Sequence, residues 1–225
     1  MLRVNQLIGF GAGGNKVTRE LTASAVSSAD QTNYTFSSQS LGAETADRFM
    51  VVAATITGNA VGRTIDSVTV GGVSATQAIQ TIAGGGAAEI WYTPKVADSG
   101  PTGSTGDVVV NTSGSCLNCS VAVYAVKSAS SVTPTAAQND TSSPLSLSIN
   151  VPANGVGIAV ARAAGTPGDT TWAGFIEDTD QALDGGIGVG TTASAEFSAE
   201  QVGLTVSASW GAGTANTLSA AAWGP

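Results

Sequence analysis

Two segments of the chain alternate without a fault: Leu145-Ser-Leu147-Ser-Ile149-Asn-Val151 and Val202-Gly-Leu204-Thr-Val206-Ser-Ala208-Ser-Trp210. A period of two puts the large side chains on one face and the small ones on the other, which is the pattern of a strand with one wet face. Val156-Gly-Ile158-Ala-Val160-Ala alternates large with small instead of apolar with polar. Its second face is therefore expected to be packed closely by another layer. Phe49–Ile56 is apolar on both faces and reads as a central strand. Further strands are expected at Tyr34–Ser38, Ile65–Val70, Val73–Ile79, Ala88–Thr93, Asp107–Asn111, Val121–Lys127, Trp172–Glu177, Ile187–Val189 and Leu218–Trp223. Gly and Pro clusters such as Gly71-Gly72, Gly84-Gly85-Gly86, Asn154-Gly155 and Gly165-Thr-Pro-Gly168 punctuate them at short intervals. Many short strands without intervening helices predict an all-β fold, an antiparallel β-sandwich of jelly-roll-like kind.

The first thirty residues read differently. Val17, Leu21 and Ala25 recur at i, i+4 and i+8, which predicts a short helix over Asn15–Ser28. Thr18, Thr22, Ser24 and Val26 are indifferent helix formers, so an extended arm lying on a neighbour is the competing expectation. The organisation predicted is an N-terminal arm over residues 1–30 and a sandwich over 31–225. An internal boundary is weighed near 128–144, where Ser128–Pro144 is weakly patterned and carries two prolines. No repeat of solenoid or propeller length is present.

Composition narrows the function. Ala, Gly, Ser and Thr supply 117 of the 225 residues, and only 11% are charged. Histidine is absent, which removes the commonest general base and metal ligand and makes a Ser-His-Asp triad impossible. The net charge of −8 argues against sequence-independent nucleic-acid binding, which depends on clustered Lys and Arg. Met1–Ile8 does not read as a secretion leader, and no apolar run approaches the length of a membrane span. The chain is expected to be non-enzymatic, with no cofactor.

Four groups of residues were weighed for chemistry. Gly9-Phe-Gly11-Ala-Gly13-Gly14 matches G-x-G-x-x-G in form, but no βαβ series follows it, so a glycine hinge is the expectation. Cys116-Leu-Asn-Cys119 is a single C-x-x-C with no further Cys or His to complete a zinc site. It is expected in a Ser/Gly-rich turn, as reduced thiols or as a local disulfide. Glu177-Asp178-Thr-Asp180-Gln-Ala-Leu-Asp184 concentrates charge. A solvated acidic loop is expected there, with Asp178, Asp180 and Asp184 as the candidate calcium ligands. Trp91, Trp172, Trp210 and Trp223 are core or rim packing or a sugar-binding face. Trp91 stands out because Ile90 and Tyr92 face the opposite way on the same strand.

Several segments carry a resemblance: Arg48-Phe-Met-Val-Val-Ala-Ala-Thr-Ile, Thr64-Ile-Asp-Ser-Val-Thr-Val-Gly-Gly-Val-Ser-Ala-Thr, Ala88-Glu-Ile-Trp-Tyr, Gly106-Asp-Val-Val-Val, Val121-Ala-Val-Tyr, Ala163-Ala-Gly-Thr-Pro-Gly-Asp-Thr-Thr-Trp172 and Ala220-Ala-Ala-Trp-Gly-Pro225. Through these, residues 34–225 resemble a group of β-rich structural proteins of tailed bacteriophages. The resemblance implies a virion protein, assembled in the host cytoplasm, that decorates capsids or attaches to tails, and leaves the place open; a capsid cement subunit is the leading expectation. The alternative it implies is a tail-associated or host-recognition protein that binds glycans. The partners implied are the major capsid protein or tail proteins and further copies of the chain, with no nucleic acid and no membrane span. Met1–Gly14 would then be an anchoring arm.

Overall fold

A computed structural model describes residues 15–183, 188–212 and 214–225. In chain order the described strands are β1 (Thr18–Ser27), β2 (Gln31–Ser40), β3 (Phe49–Gly58), β4 (Ile65–Val70), β5 (Val73–Ser74), β6 (Thr76–Ala83), β7 (Gly86–Tyr92), β8 (Thr105–Lys127), β9 (Ala136–Asp140), β10 (Leu145–Val151), β11 (Val156–Ala164), β12 (Thr171–Ala173), β13 (Ile176–Leu183), β14 (Gly188–Glu196), β15 (Gln201–Ser209) and β16 (Thr214–Trp223). The only helical element among the described residues is the single 3-10 turn Val96–Asp98. Every described pairing is antiparallel, and the strands form sheets of eight, five and three. The fold is all-β and sandwich-like, as the alternation predicts.

β8 organises the largest sheet. Its C-terminal half pairs with β1 on one edge and β3 on the other, and its N-terminal half pairs with β2 and β4. β7 and β6 extend the sheet beyond β3, and β5 extends it beyond β4. The sheet folds over on itself, so that Val108 and Val110 from one half of β8 meet Val121, Val123 and Ala125 from the other in one core. Tyr34, Met50, Val52, Val68 and Trp91 fill that core. A second core lies between this sheet and the five-stranded sheet β13-β14-β11-β16-β9, where Phe49, Val51 and Tyr124 meet Val156, Ile158, Val160 and Trp223. A third lies between the five-stranded sheet and β10-β15-β12, where Leu145, Leu147 and Ile149 meet Ala159, Ala161 and Ala220. The molecule is thus a stack of four β layers around three cores.

The stack explains the sequence pattern. Val156, Ile158 and Val160 face the second core, while Gly157, Ala159 and Ala161 face the third sheet. A side chain at Gly157 would run into the Phe175 ring. β14 is buried on both faces for the same reason, and its Gly190 lies against Thr55 and Ser120, whose hydroxyls are 2.7 Å apart. Close-set layers require small residues where two sheets touch.

The structure corrects four expectations. The helix predicted over Asn15–Ser28 is the strand β1. Residues four apart share a face of a strand as well as of a helix, so Val17, Leu21 and Ala25 satisfied both patterns. A register shift between Leu21 and Ala23 then sends Val17 and Leu21 to the second core and Ala23 and Ala25 to the first. Hence 15–27 is not a separate arm, and residues 1–14, with the glycine cluster, lie outside the described residues. Cys116 and Cys119 are not in a turn: Asp107–Asn111 and Val121–Lys127 are one strand of 23 residues that runs through them. The acidic segment is not a loop but most of β13. Within 128–144, β9 pairs with β16 and belongs to the central layer.

Gly190→Ala places a Cβ 2.5 Å from both the Thr55 and Ser120 hydroxyl oxygens. The variant is expected to lose about 1–3 kcal/mol of stability. Urea unfolding should show a lower midpoint at an unchanged slope.

Candidate interaction surface

Titratable groups buried in a fold are the first place to look for chemistry. Glu89, on β7, is completely buried. Its carboxylate accepts from the Ile65 N–H (2.9 Å), Gln77 Nε2 (2.8 Å), Gln80 Nε2 (2.9 Å) and Trp91 Nε1 (3.0 Å). Burial pushes its pKa up, opposed by these four donors. The group joins β4, β6 and β7, and its acceptor positions are spent on the protein itself. Arg48 is equally buried and donates to the carbonyls of Leu41, Gly42 and Pro101, closing the loop before β3. Arg162, on β11, lies in the interface between the two larger sheets and donates from Nε to Thr57 Oγ1 at 3.0 Å. Burial lowers its pKa to about 10.

At the other side of the same interface, Asp178 takes part in a polar cluster. The Tyr124 hydroxyl lies 3.0 Å from its Oδ2 and 2.8 Å from Thr192 Oγ1. Ser194 also donates to Asp178, and Arg19 Nη1 stands 3.6 Å from its Oδ1. Burial, reinforced by the Asp178 charge, pushes the Tyr124 pKa well up. Beside this cluster, Lys16 pairs with Glu196 at 2.7 Å and the Arg19 N–H donates to the same carboxylate. These contacts fasten β1 to the central sheet.

The residues singled out in the sequence are dispersed. Asp178 faces Tyr124, whereas Asp180 accepts from the Thr170 N–H (2.8 Å) and hydroxyl (3.2 Å) on the other side of β13. The register shift between Glu177 and Thr179 separates them, and Asp184 lies outside the described residues. Among the described residues no three His, Cys, Asp or Glu side chains gather in a way that could hold a metal ion. Cys116 and Cys119 are buried free thiols. A register shift between Asn118 and Cys116 turns both into the first core, although three residues apart on an even strand they would face opposite ways. Burial pushes both thiols up, away from reactivity.

Trp91 is not an exposed aromatic. β7 lies between two cores, so Trp91 packs into the first and Ile90 into the second. Both sets of side chains on this strand point inward, because neither of its faces is wet. Trp223 is fully buried, and its indole donates to the Val132 carbonyl at 2.7 Å. Trp172 is half-buried against the third core and donates to Thr191 Oγ1 at 2.9 Å. Trp210 is half-buried at the end of β15 and lines a shallow cleft of about 290 Å³ with Ser143, Pro144, Leu145, Ser209 and Asn216.

What remains for contact with other molecules is the outside of the stack. On one end, the outer face of the three-stranded sheet sets Ser146 opposite Ser207 and Ser148 opposite Thr205, with Thr171 opposite Ser209. On the other end, Asn33, Asn111 and Ser67 lie side by side on β2, β8 and β4. Asn33 donates to Asn111, which donates to Ser67 Oγ at 3.0 Å. Both rows are short, uncharged and polar. In the sequence Asn33 and Asn111 were visible only as Asn-x-Ser/Thr triplets; their alignment depends on pairings across the chain.

Two outcomes follow, one from the buried Glu89 and one from the exposed Lys16–Glu196 pair. Glu89→Gln removes the cost of burying a charge but turns an amide donor toward four donors, so it is expected to destabilise the fold by about 1–3 kcal/mol in urea titration. Burial acts to raise the Glu196 pKa, but the Lys16 ammonium and the Arg19 N–H outweigh it and hold it below its ordinary value. A carboxyl depressed in the folded state stabilises above its unfolded pKa and loses that contribution as pH falls through the folded one. Amides of β1, corrected for intrinsic rate, should therefore exchange faster relative to β3 at about pH 3 than at about pH 6.

No protein-family model, no curated protein and no solved structure matches this chain.

Proposed function

We propose that this chain is a non-catalytic structural component of a bacteriophage virion, a decoration subunit that binds the capsid lattice in repeated copies. The observation that carries the reading is the pair of short, uncharged Ser/Thr/Asn rows on the two ends of the stack. Short side chains have little rotamer freedom to lose when surfaces meet, so such faces suit adhesion to a repeating protein surface. Consistent with this, the buried carboxylate of Glu89 and the guanidinium of Arg48 are spent on internal contacts. The negative net charge keeps the protein off packaged nucleic acid. The resemblance of residues 34–225 to β-rich phage structural proteins supplies the choice of particle. A place on the tail is the second reading, favoured by the aromatic-walled cleft at Trp210.

Co-sedimentation with undecorated capsids tests the proposal. Saturable binding is expected, weakened by about tenfold when Ser148→Arg puts a charge on the outer row. Absence of co-sedimentation at every ratio, with antibody labelling the tail of intact particles, overturns the capsid assignment in favour of the second reading.

A further inference from the structure

We infer that the cleft beside Trp210 is a binding site for a single neutral sugar ring. This rests on the chemistry of the cleft and not on where in a particle the chain sits. Trp210 and Pro144 supply the apolar wall of the cleft, while Leu145 and Ala208 are fully buried behind it. The rim is supplied by Ser143, Ser209 and Asn216. An apolar face beside hydroxyl and amide groups matches a pyranose, which has a hydrocarbon face and a belt of hydroxyls.

Three features make the cleft a built site. The indole is held in place: Trp210 Nε1 donates to Thr170 Oγ1 at 2.8 Å, and Thr170 is itself fixed by two hydrogen bonds to Asp180. The ring is thereby oriented before any ligand arrives, so little ordering is left to binding. Asn216 Oδ1 is buried without a hydrogen-bond partner, so the amide at the rim has acceptor capacity the fold does not use. A donor from a ligand hydroxyl, reached by rotation of the amide, would satisfy it. Among the described residues no Arg, Lys, Asp or Glu lines the cleft, and the net charge is −8, so a neutral sugar is favoured over an acidic one. The volume of about 290 Å³ is at the low end for small-molecule sites and suits one ring, not an extended chain.

The indole N–H resonances of the four tryptophans give a direct readout, with Trp210 assigned from Trp210→Phe. The intact chain is titrated with the methyl glycosides of glucose, galactose, mannose and N-acetylglucosamine, and with glucuronate, at millimolar concentration. At least one neutral glycoside is expected to shift the Trp210 resonance saturably while the buried Trp223 stays still. Glucuronate should bind at least tenfold more weakly. Ala212→Glu, at an exposed position of the cleft, should abolish the shift without altering thermal unfolding, and Trp210→Ala should lose binding. If none of the neutral glycosides moves Trp210, if glucuronate moves it equally, or if Ala212→Glu binds as the parent does, the proposal is overturned. Capsid binding is unaffected by any of these outcomes, so the two readings fail separately.

Discussion

The pairing of β8 on both edges is the constraint on which the other layers depend. Residues of β8 between Cys119 and Val126 pair with β1 on one side and with β3 on the other, so this half of the strand has no free edge. Its other half takes β2 and β4. Both faces are committed as well: Val121, Val123 and Ala125 go to the first core, Ala122, Tyr124 and Val126 to the second. One strand therefore sets the position of the folded sheet and of the surface on which the central sheet rests. The register shift between Cys116 and Cys119 is where its facing changes, and it lies where the strand passes from one pair of partners to the other.

How much of this could be read from the sequence depends on how many faces of a strand are wet. β10, with one wet face, is written plainly as Leu145-Ser-Leu147-Ser-Ile149-Asn-Val151. β11 was legible because large and small residues alternate between two cores of different depth. β14 was legible only at its start, within Ile187–Val189, because Gly190-Thr-Thr-Ala-Ser-Ala-Glu196 is small on both faces and carries no periodic signal. β1 was ambiguous for a geometrical reason, a four-residue spacing shared by helix and strand. Of the candidate site, tryptophan as a wall was foreseeable, but which one was not. Trp91 and Trp210 differ only in whether a second layer covers them, and covering is a property of the stack. The donors to Glu89 come from three strands, so nothing near residue 89 announces them.

Small residues thus serve two ends in this chain. Inside, Gly157 and Gly190 let sheets approach closely, Gly190 against the Thr55–Ser120 pair of the neighbouring sheet, and Thr81 and Ser219 hydrogen-bond from one sheet to the next. Outside, Ser146, Ser148 and Thr205 form an exposed row of short, uncharged side chains. A composition that looks merely simple is what a stack of close-set layers requires.

The register of β1 has a consequence for how the protein is made. Thr18 pairs with Lys127 and Ser27 with Cys119, so β1 finds its neighbour only after β2 to β7 have been synthesised. Until that point β1 and β2 have no β8 to complete them, and such non-local pairing is slow. A ribosome-bound fragment ending before residue 105 lacks the whole of the central strand. The nascent chain therefore emerges with unpaired backbone on β1 and β2, and of these Gln31-Thr-Asn-Tyr-Thr-Phe-Ser-Ser-Gln-Ser40 exposes few apolar side chains while it waits.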